Sequence, residues 1–168
     1  MINIQSMKRT FLTIVVFFFG ICIFSQEVKK IKITDLEKTI KESKTPLIIN
    51  FWATYCKPCV AEIPYFQEAL KKYKKDSIHL LLVSLDLQDF YPVKIKRFAA
   101  KRKFTAPILW LDEYNADYFC PKVDSAWSGA IPASLFVNNT TGYRKFFEEQ
   151  LSKEKLEKEI TAILGKTD

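Results

Sequence analysis

Glycine and histidine are scarce: four glycines and one histidine, His79, among 168 residues. So few glycines argue against a second, loop-built module, and no Gly/Ser linker or internal repeat interrupts residues 26–168. Four cysteines are too few for a disulfide-stapled miniature scaffold. The net charge of +7 falls far short of a dedicated nucleic-acid binder, so nucleic acid is not expected as a partner. Apolar residues are plentiful, at 48% hydrophobic and 14% aromatic, enough to bury a real core in one domain of ordinary size.

The first 25 residues have a different character from the rest. Residues 1–10 carry Lys8 and Arg9 and no acid, and residues 11–24 are apolar apart from Thr13 and Gly20. Fourteen helical residues reach only about 21 Å, short of a bilayer core of about 30 Å, so residues 1–25 are expected to be a secretory signal peptide. Ser25 is a suitable residue before the cut, and Gln26 then begins the mature chain. An uncleaved membrane anchor is the alternative. Cys22 is a poor lipidation site, because Ile21 stands where a small residue is needed. Either way the expected location is the periplasm, or more generally the extracytoplasmic side. Residues 26–168 keep a charge of +5 and three cysteines: Cys56, Cys59 and Cys120. An odd count in an oxidising compartment cannot be fully paired within one chain.

Residues 28–33 alternate apolar and basic side chains, as an edge strand would. Thr34 and Glu37 have capping-box spacing, opening a helix to about residue 43. After Pro46, residues 47–53 form a near-continuous apolar strand, the pattern of a sheet covered on both faces. A helix follows from about Cys56, with Val60, Ile63, Phe66, Leu70 and Tyr73 on one side and Pro64 inside it. Residues 78–85 read as a buried strand, 93–103 as a basic helix and 107–111 as a short strand. A loop-rich stretch, 112–130, precedes a hairpin of residues 133–137 and 143–147, and 152–164 close the chain as an amphipathic helix. Leu156, Ile160, Ile163 and Leu164 should face inward. This order predicts an α/β fold: a central mixed β-sheet flanked by helices on both faces.

The chemistry centres on Cys56 and Cys59, three apart at a strand-to-helix junction. At a helix N-terminus Cys56 meets unpaired N–H groups and the positive end of the macrodipole, which favour thiolate by up to about 2 kcal/mol. Lys57 adds positive charge, and Pro58 fits the first turn without losing a needed donor. Thiolate is the attacking species in thiol–disulfide exchange, and Cys59, one turn deeper, is placed to resolve a mixed disulfide. The alternatives are a static disulfide or half a zinc site. Zinc needs further ligands, and His79 with one remote cysteine supplies no second pair, so no metal is expected.

The segment Asn50-Phe51-Trp52-Ala53-Thr54-Tyr55-Cys56-Lys57-Pro58-Cys59, with Glu62, Pro64 and Gly129-Ala130-Ile131-Pro132 downstream, resembles the thioredoxin-like thiol–disulfide oxidoreductases. The match is to their exported TlpA/ResA-type branch, and the element order agrees over about residues 28–164. The resemblance implies a thioredoxin-like fold, catalytic Cys56 and Cys59, and no cofactor beyond their redox-active disulfide. Thioredoxins proper carry a buried aspartate where this chain has Asn50; the exported branch places its acid after the motif, matching Glu62. If buried, Glu62 should have a raised pKa and handle a proton during exchange; the alternative is a glutamate that only stabilises the helix start. By the same resemblance Pro132 should be cis and face the disulfide, leaving the Ile131 backbone free to pair with substrate; the alternative is an ordinary proline at a strand start. Trp52 and Tyr55 join Ile131 and Pro132 as expected substrate-binding residues, although Trp52, like Asn50, suits a core role too. Tyr55 departs from the family's usual tryptophan.

The expected function is therefore reduction of protein disulfides, with disulfide-containing or thiol proteins as partners and a membrane electron donor for re-reduction. Cytochrome c maturation is one role in the family. A monomer is expected. The competing readings are a disulfide-forming oxidant on the same fold and a metal- or chaperone-type binding module. Copper carriers of this fold have three residues between their cysteines and a partner histidine, whereas this chain has two and a remote His79. A peroxiredoxin-type peroxidase would need proline at Ile49. Cys120 is read as an inert thiol and His79 as structural or exposed. Asn138-Asn139-Thr140-Thr141 holds two overlapping glycosylation sequons of little weight. Lys94, Lys96, Arg97, Lys101, Arg102 and Lys103 read as a solvated helix face, with an acidic partner or anionic lipid as the weaker alternative.

Overall fold

The computed structural model describes residues 27–166. The expected leader, its cleavage point and Cys22 lie outside them. In chain order the elements are β1 (Val28–Ile31), α1 (Ile33–Glu42), β2 (Leu47–Trp52), α2 (Lys57–Lys72), β3 (His79–Ser84), α3 (Val93–Lys101), β4 (Ile108–Leu111), α4 (Ala116–Val123), β5 (Ala133–Asn138), β6 (Tyr143–Phe147) and α5 (Lys153–Ile163). The strands form one sheet in the order β1-β4-β3-β2-β5-β6. β1, β4, β3 and β2 run parallel, β5 is antiparallel to β2, and β6 to β5. The sheet is mixed, as expected.

All six residues of β2 are buried, because its alternating side chains meet a helical layer on each face. Ile48 and Trp52 pack with Ile63, Phe66, Ile95, Leu156 and Ile160, from α2, α3 and α5. Leu47, Ile49 and Phe51 pack with Leu36, Ile40, Phe119 and Val123, from α1 and α4. Each fully buried side chain of this size contributes about 1.5–3 kcal/mol, so the two layers hold the sheet from both sides. Among the described residues no helix is long and apolar enough to cross a membrane.

Three local expectations need correction. Ile33 belongs to α1 rather than to the first strand, because Ile33, Leu36 and Ile40 together form that helix's buried face. The cap accordingly sits two residues early: the Asp35 carboxylate accepts from the Lys32 N–H at 3.0 Å, the role expected of the Thr34/Glu37 pair. Residues 116–123, expected as loop, form α4, which carries Pro121 inside it and buries Phe119, Cys120 and Val123. As expected, α2 turns Ile63 and Phe66, with the partly buried Val60, Leu70 and Tyr73, to one apolar layer, which Cys59 and Ala69 also join.

Candidate active site

The site is built where β2 ends. Trp52 closes the strand, Ala53 to Tyr55 turn the chain, and Cys56 is the N-cap residue of α2 with extended backbone (φ −83°, ψ 95°). Pro58 falls within the first turn, which also lacks any acidic residue. Cys56 and Cys59 are joined as a disulfide. The Cys59 N–H donates to Cys56 Sγ at 3.3 Å, so Cys56 satisfies one otherwise unpaired helix donor. Cys56 retains 7% exposure and Cys59 none. In the dithiol form this geometry makes the outer sulfur the better thiolate, since helix-end donors face it while apolar side chains enclose the inner one.

Asp86, just past β3, anchors the turn before Cys56. Its buried carboxylate accepts from the Thr54 N–H at 3.1 Å, the Thr54 hydroxyl at 2.6 Å and the Ser84 hydroxyl at 2.8 Å. Its backbone carbonyl accepts from Trp110 Nε1 at 2.7 Å. The Leu85 N–H donates to the Trp52 carbonyl at 2.8 Å, tying the same two strand ends. The approach to Cys56 is thus fixed to the sheet as well as to α2. No local pattern marked Asp86; its only sequence signal is an acid directly after a buried strand.

Beneath the cysteines, Glu62 is fully buried one helical turn after Cys59. Its Oε1 accepts from Asn50 Nδ2 at 2.8 Å and its Oε2 from the Leu151 N–H at 2.7 Å. Burial pushes the Glu62 carboxyl up to about 7, against the weaker opposing pull of the Leu151 and Asn50 hydrogen bonds. Asn50 lies on the α2-facing side of β2 and also donates to Ser134 Oγ at 3.0 Å, its register partner on β5. Asn50 Oδ1 is buried without a hydrogen-bond partner.

The Ile131–Pro132 bond is cis, as is Tyr91–Pro92, which nothing in the sequence marked. Pro132 stands one residue beyond the Phe51–Ala133 pair, at the level of Trp52 and at the end of the sheet from which the Cys56 turn springs. Ile131 is partly buried and packs against both apolar layers, one of which contains Cys56 and Cys59. Glu148 holds the preceding loop, accepting from the Ala130 N–H at 2.9 Å and from the Ser128 N–H and hydroxyl. Desolvation pushes the Glu148 carboxyl up, but these bonds together outweigh it and leave its pKa below the usual range. Gly129 has a φ of +97°, a conformation that favours glycine.

Of the expected substrate-binding residues, Tyr55 is 65% exposed, whereas Trp52 is fully buried. Trp52 is therefore corrected to a core residue: it shares the face of β2 that Asn50 occupies, and its ring meets Phe104 edge-on at 5.4 Å and Phe98 at 6.1 Å. Cys120 is buried in the opposite apolar layer, its thiol pushed up to about 11 by burial and then by the charges of Glu148 and Asp117. His79 is exposed at the start of β3. Among the described residues, no three His, Cys, Asp or Glu side chains converge as a metal site.

A four-stranded parallel core with an antiparallel hairpin, a cysteine pair at a helix start and a cis-proline at the same end of the sheet define a thioredoxin-like protein. The AhpC/TSA family profile matches residues 21–141, and the chain belongs to that family. A thiol-disulfide oxidoreductase ResA of Geobacillus kaustophilus is 26% identical over 118 residues, covering 70% of this chain and 62% of the relative. The chain thus spans about three fifths of the length of that curated relative. Among solved structures, a thioredoxin-related protein of Neisseria meningitidis serogroup B superposes with a TM-score of 0.63 at 24% identity, covering 76% of this chain and 91% of that one. StoA of Bacillus subtilis superposes at 0.51 with 24% identity, covering 71% and 84%. These two likenesses establish the fold.

Proposed function

We propose that this chain is an exported thiol–disulfide oxidoreductase that reduces protein disulfides through Cys56 and Cys59. The observation that carries the reading is the cysteine pair at the N-terminus of α2, with Glu62 buried one turn behind it. The similarity to ResA proteins supports the same chemistry. The Cys56 thiolate attacks a substrate disulfide, forming a mixed disulfide and releasing one substrate thiolate. Cys59 then loses its proton and attacks Cys56 Sγ, forming the Cys56–Cys59 disulfide and releasing the second substrate thiolate. Two electrons pass to the substrate, whose sulfurs take up two protons. Glu62, with a pKa near neutrality, is the group within the fold suited to exchange the Cys59 proton. A dithiol donor on the membrane returns the pair to its reduced form, and no further cofactor takes part.

The basic start and apolar run within residues 1–25 support export, with the mature chain beginning at Gln26. N-terminal sequencing of exported material should read from Gln26; a full-length chain retained in carbonate-washed membranes identifies an anchor instead. For the activity, the reduced protein is mixed with a disulfide-bridged peptide and peptide thiol is followed. One peptide should be reduced per protein molecule, with loss of both Cys56 and Cys59 thiols. Retention of both thiols overturns the assignment.

A further inference from the structure

The described chain exposes five large apolar side chains, and four of them crowd one end of the sheet. Tyr55 follows β2, Leu87 and Val93 follow β3, and Tyr114 follows β4, all beyond the C-terminal ends of parallel strands. Tyr55 and Leu87 are held in register by their chain neighbours, since Thr54 donates to Asp86. The Cys56 turn leaves the sheet at this same end. Beside Cys56 lies an open groove of about 380 Å³, lined by Tyr55, Lys57, Val60, Ala61, Phe98 and Arg102 among others. Its size lies at the small end of ligand clefts, about 300–1,000 Å³, with room for a few side chains of an extended segment.

The charge of the groove has one sign. Lys57 on α2 and Arg102 at the end of α3 are its only charged lining residues. Neither forms an ion pair among the described residues, nor do the neighbouring Lys101 and Lys103. Arg102 instead lays its guanidinium over the Phe98 ring at 5.4 Å, which keeps the cation against the apolar floor. A solvated helix face would spread its charge over a convex surface. Here two cations from different helices border a concave apolar surface next to the nucleophile.

We propose that this groove is a substrate subsite for an extended polypeptide segment that carries a carboxylate beside an apolar side chain, close to the target cysteine. The apolar side chain packs on Tyr55, Val60 and Phe98, and the carboxylate meets Lys57 and Arg102. The proposal rests on the reading of Cys56 as the attacking thiol and adds the substrate's local chemistry to it. An anionic membrane surface is the competing source of negative charge, but a concave groove of this size suits side chains better than a flat array of headgroups.

The test uses two disulfide-bridged fluorogenic peptides, identical except that Glu-Phe or Lys-Phe flanks one cysteine. In single-turnover reactions with the reduced protein in excess at low salt, the second-order rate constant for the acidic peptide should exceed that for the basic one by about tenfold, mainly through tighter binding. Physiological salt should shrink the ratio. Arg102→Glu should invert the preference and Arg102→Ala should narrow it. Equal rates for the two peptides in the unmodified protein overturn the subsite while leaving the reductase reading intact. Equal slowing of both peptides by Arg102→Glu overturns it as well, since that is the mark of a structural role. A preference reproduced only by vesicles rich in anionic lipid, with no peptide discrimination, assigns the cations to a membrane. Reduction of neither peptide overturns the activity itself, and the subsite with it.

Discussion

The Leu151 N–H donates to Glu62 Oε2 at 2.7 Å, joining two residues 89 positions apart. It links the turn between β6 and α5 to the helix that carries both cysteines. The acid is therefore held from two directions, by a backbone donor on one oxygen and by Asn50 on the other. Neither partner is a cation, so burial governs its titration.

Glu62 should reveal itself in the pH dependence of stability. Below its ordinary pKa of 4.5 the carboxyl is neutral in both folded and unfolded chains. Between 4.5 and about 7 the unfolded chain releases the proton while the fold retains it, so stability falls as pH rises. The full effect is roughly 3 kcal/mol, reached above the folded pKa. Urea denaturation of Glu62→Gln should lack this slope, with the variant gaining on the unmodified protein as pH rises. Its rate of disulfide reduction should fall, and the inflection near neutrality should disappear. A constant stability difference across this range shows that Glu62 titrates as an ordinary surface acid.

Asn50→Asp should push Glu62 further up. The substitution removes the Nδ2 donor to Oε1 and places a second carboxylate within hydrogen-bond distance of the first. Carbon-detected NMR titration of Glu62 should show its midpoint above that of the unmodified protein. An unchanged midpoint means that the two side chains separate in the variant.

Asp86→Asn keeps the shape of the Thr54 anchor but turns one acceptor into a donor. That donor then faces the Thr54 N–H or hydroxyl, or the Ser84 hydroxyl. A loss of about 1–3 kcal/mol in stability is expected from the unsatisfied buried group. The equilibrium constant of the Cys56–Cys59 pair against glutathione should also shift, since the turn before Cys56 loosens. A stability loss with an unchanged redox equilibrium would confine Asp86 to holding the fold.

The three cysteines among the described residues should separate by reactivity. Reduced Cys59→Ser should accumulate a mixed disulfide with substrate, and Cys56→Ser should trap almost none, because attack belongs to the outer sulfur. Mass spectrometry after brief alkylation of the dithiol protein should find Cys56 labelled first. Cys120, buried and pushed up to about 11, should be labelled last, and Cys120→Ser should keep full turnover. Rapid labelling of Cys120, or lost turnover in Cys120→Ser, brings the third thiol into the exchange.

Local chemistry was legible in the sequence where it rests on short spacings. Two cysteines three apart after an apolar strand mark a helix-start pair, and Glu62 three residues on must lie one turn away. The partners that tune those groups come from afar: Ser134 is 84 residues from Asn50, Leu151 is 89 from Glu62 and Asp86 is 32 from Thr54. Strand register decides those meetings, and local periodicity does not encode it. Trp52 is a different case, because it closes a near-continuous apolar strand expected to be covered on both faces, a pattern that already pointed it inward. α4 was obscured by Pro121, a residue that argues against helix wherever tertiary burial is ignored.

The sheet runs between Cys120 and the Cys56–Cys59 pair, with the pair in one apolar layer and the lone thiol in the other. Once β2 and β5 have paired, no rearrangement of side chains can bring Cys120 to the other two. Cross-linking with the wrong cysteine is open only to a chain still folding. Oxidative refolding from the fully reduced, unfolded state is thus the step at which misbonded product can arise, and refolding before oxidation avoids it. The chain's hazard from an unpaired thiol is therefore one of timing, settled by the time the fold is complete.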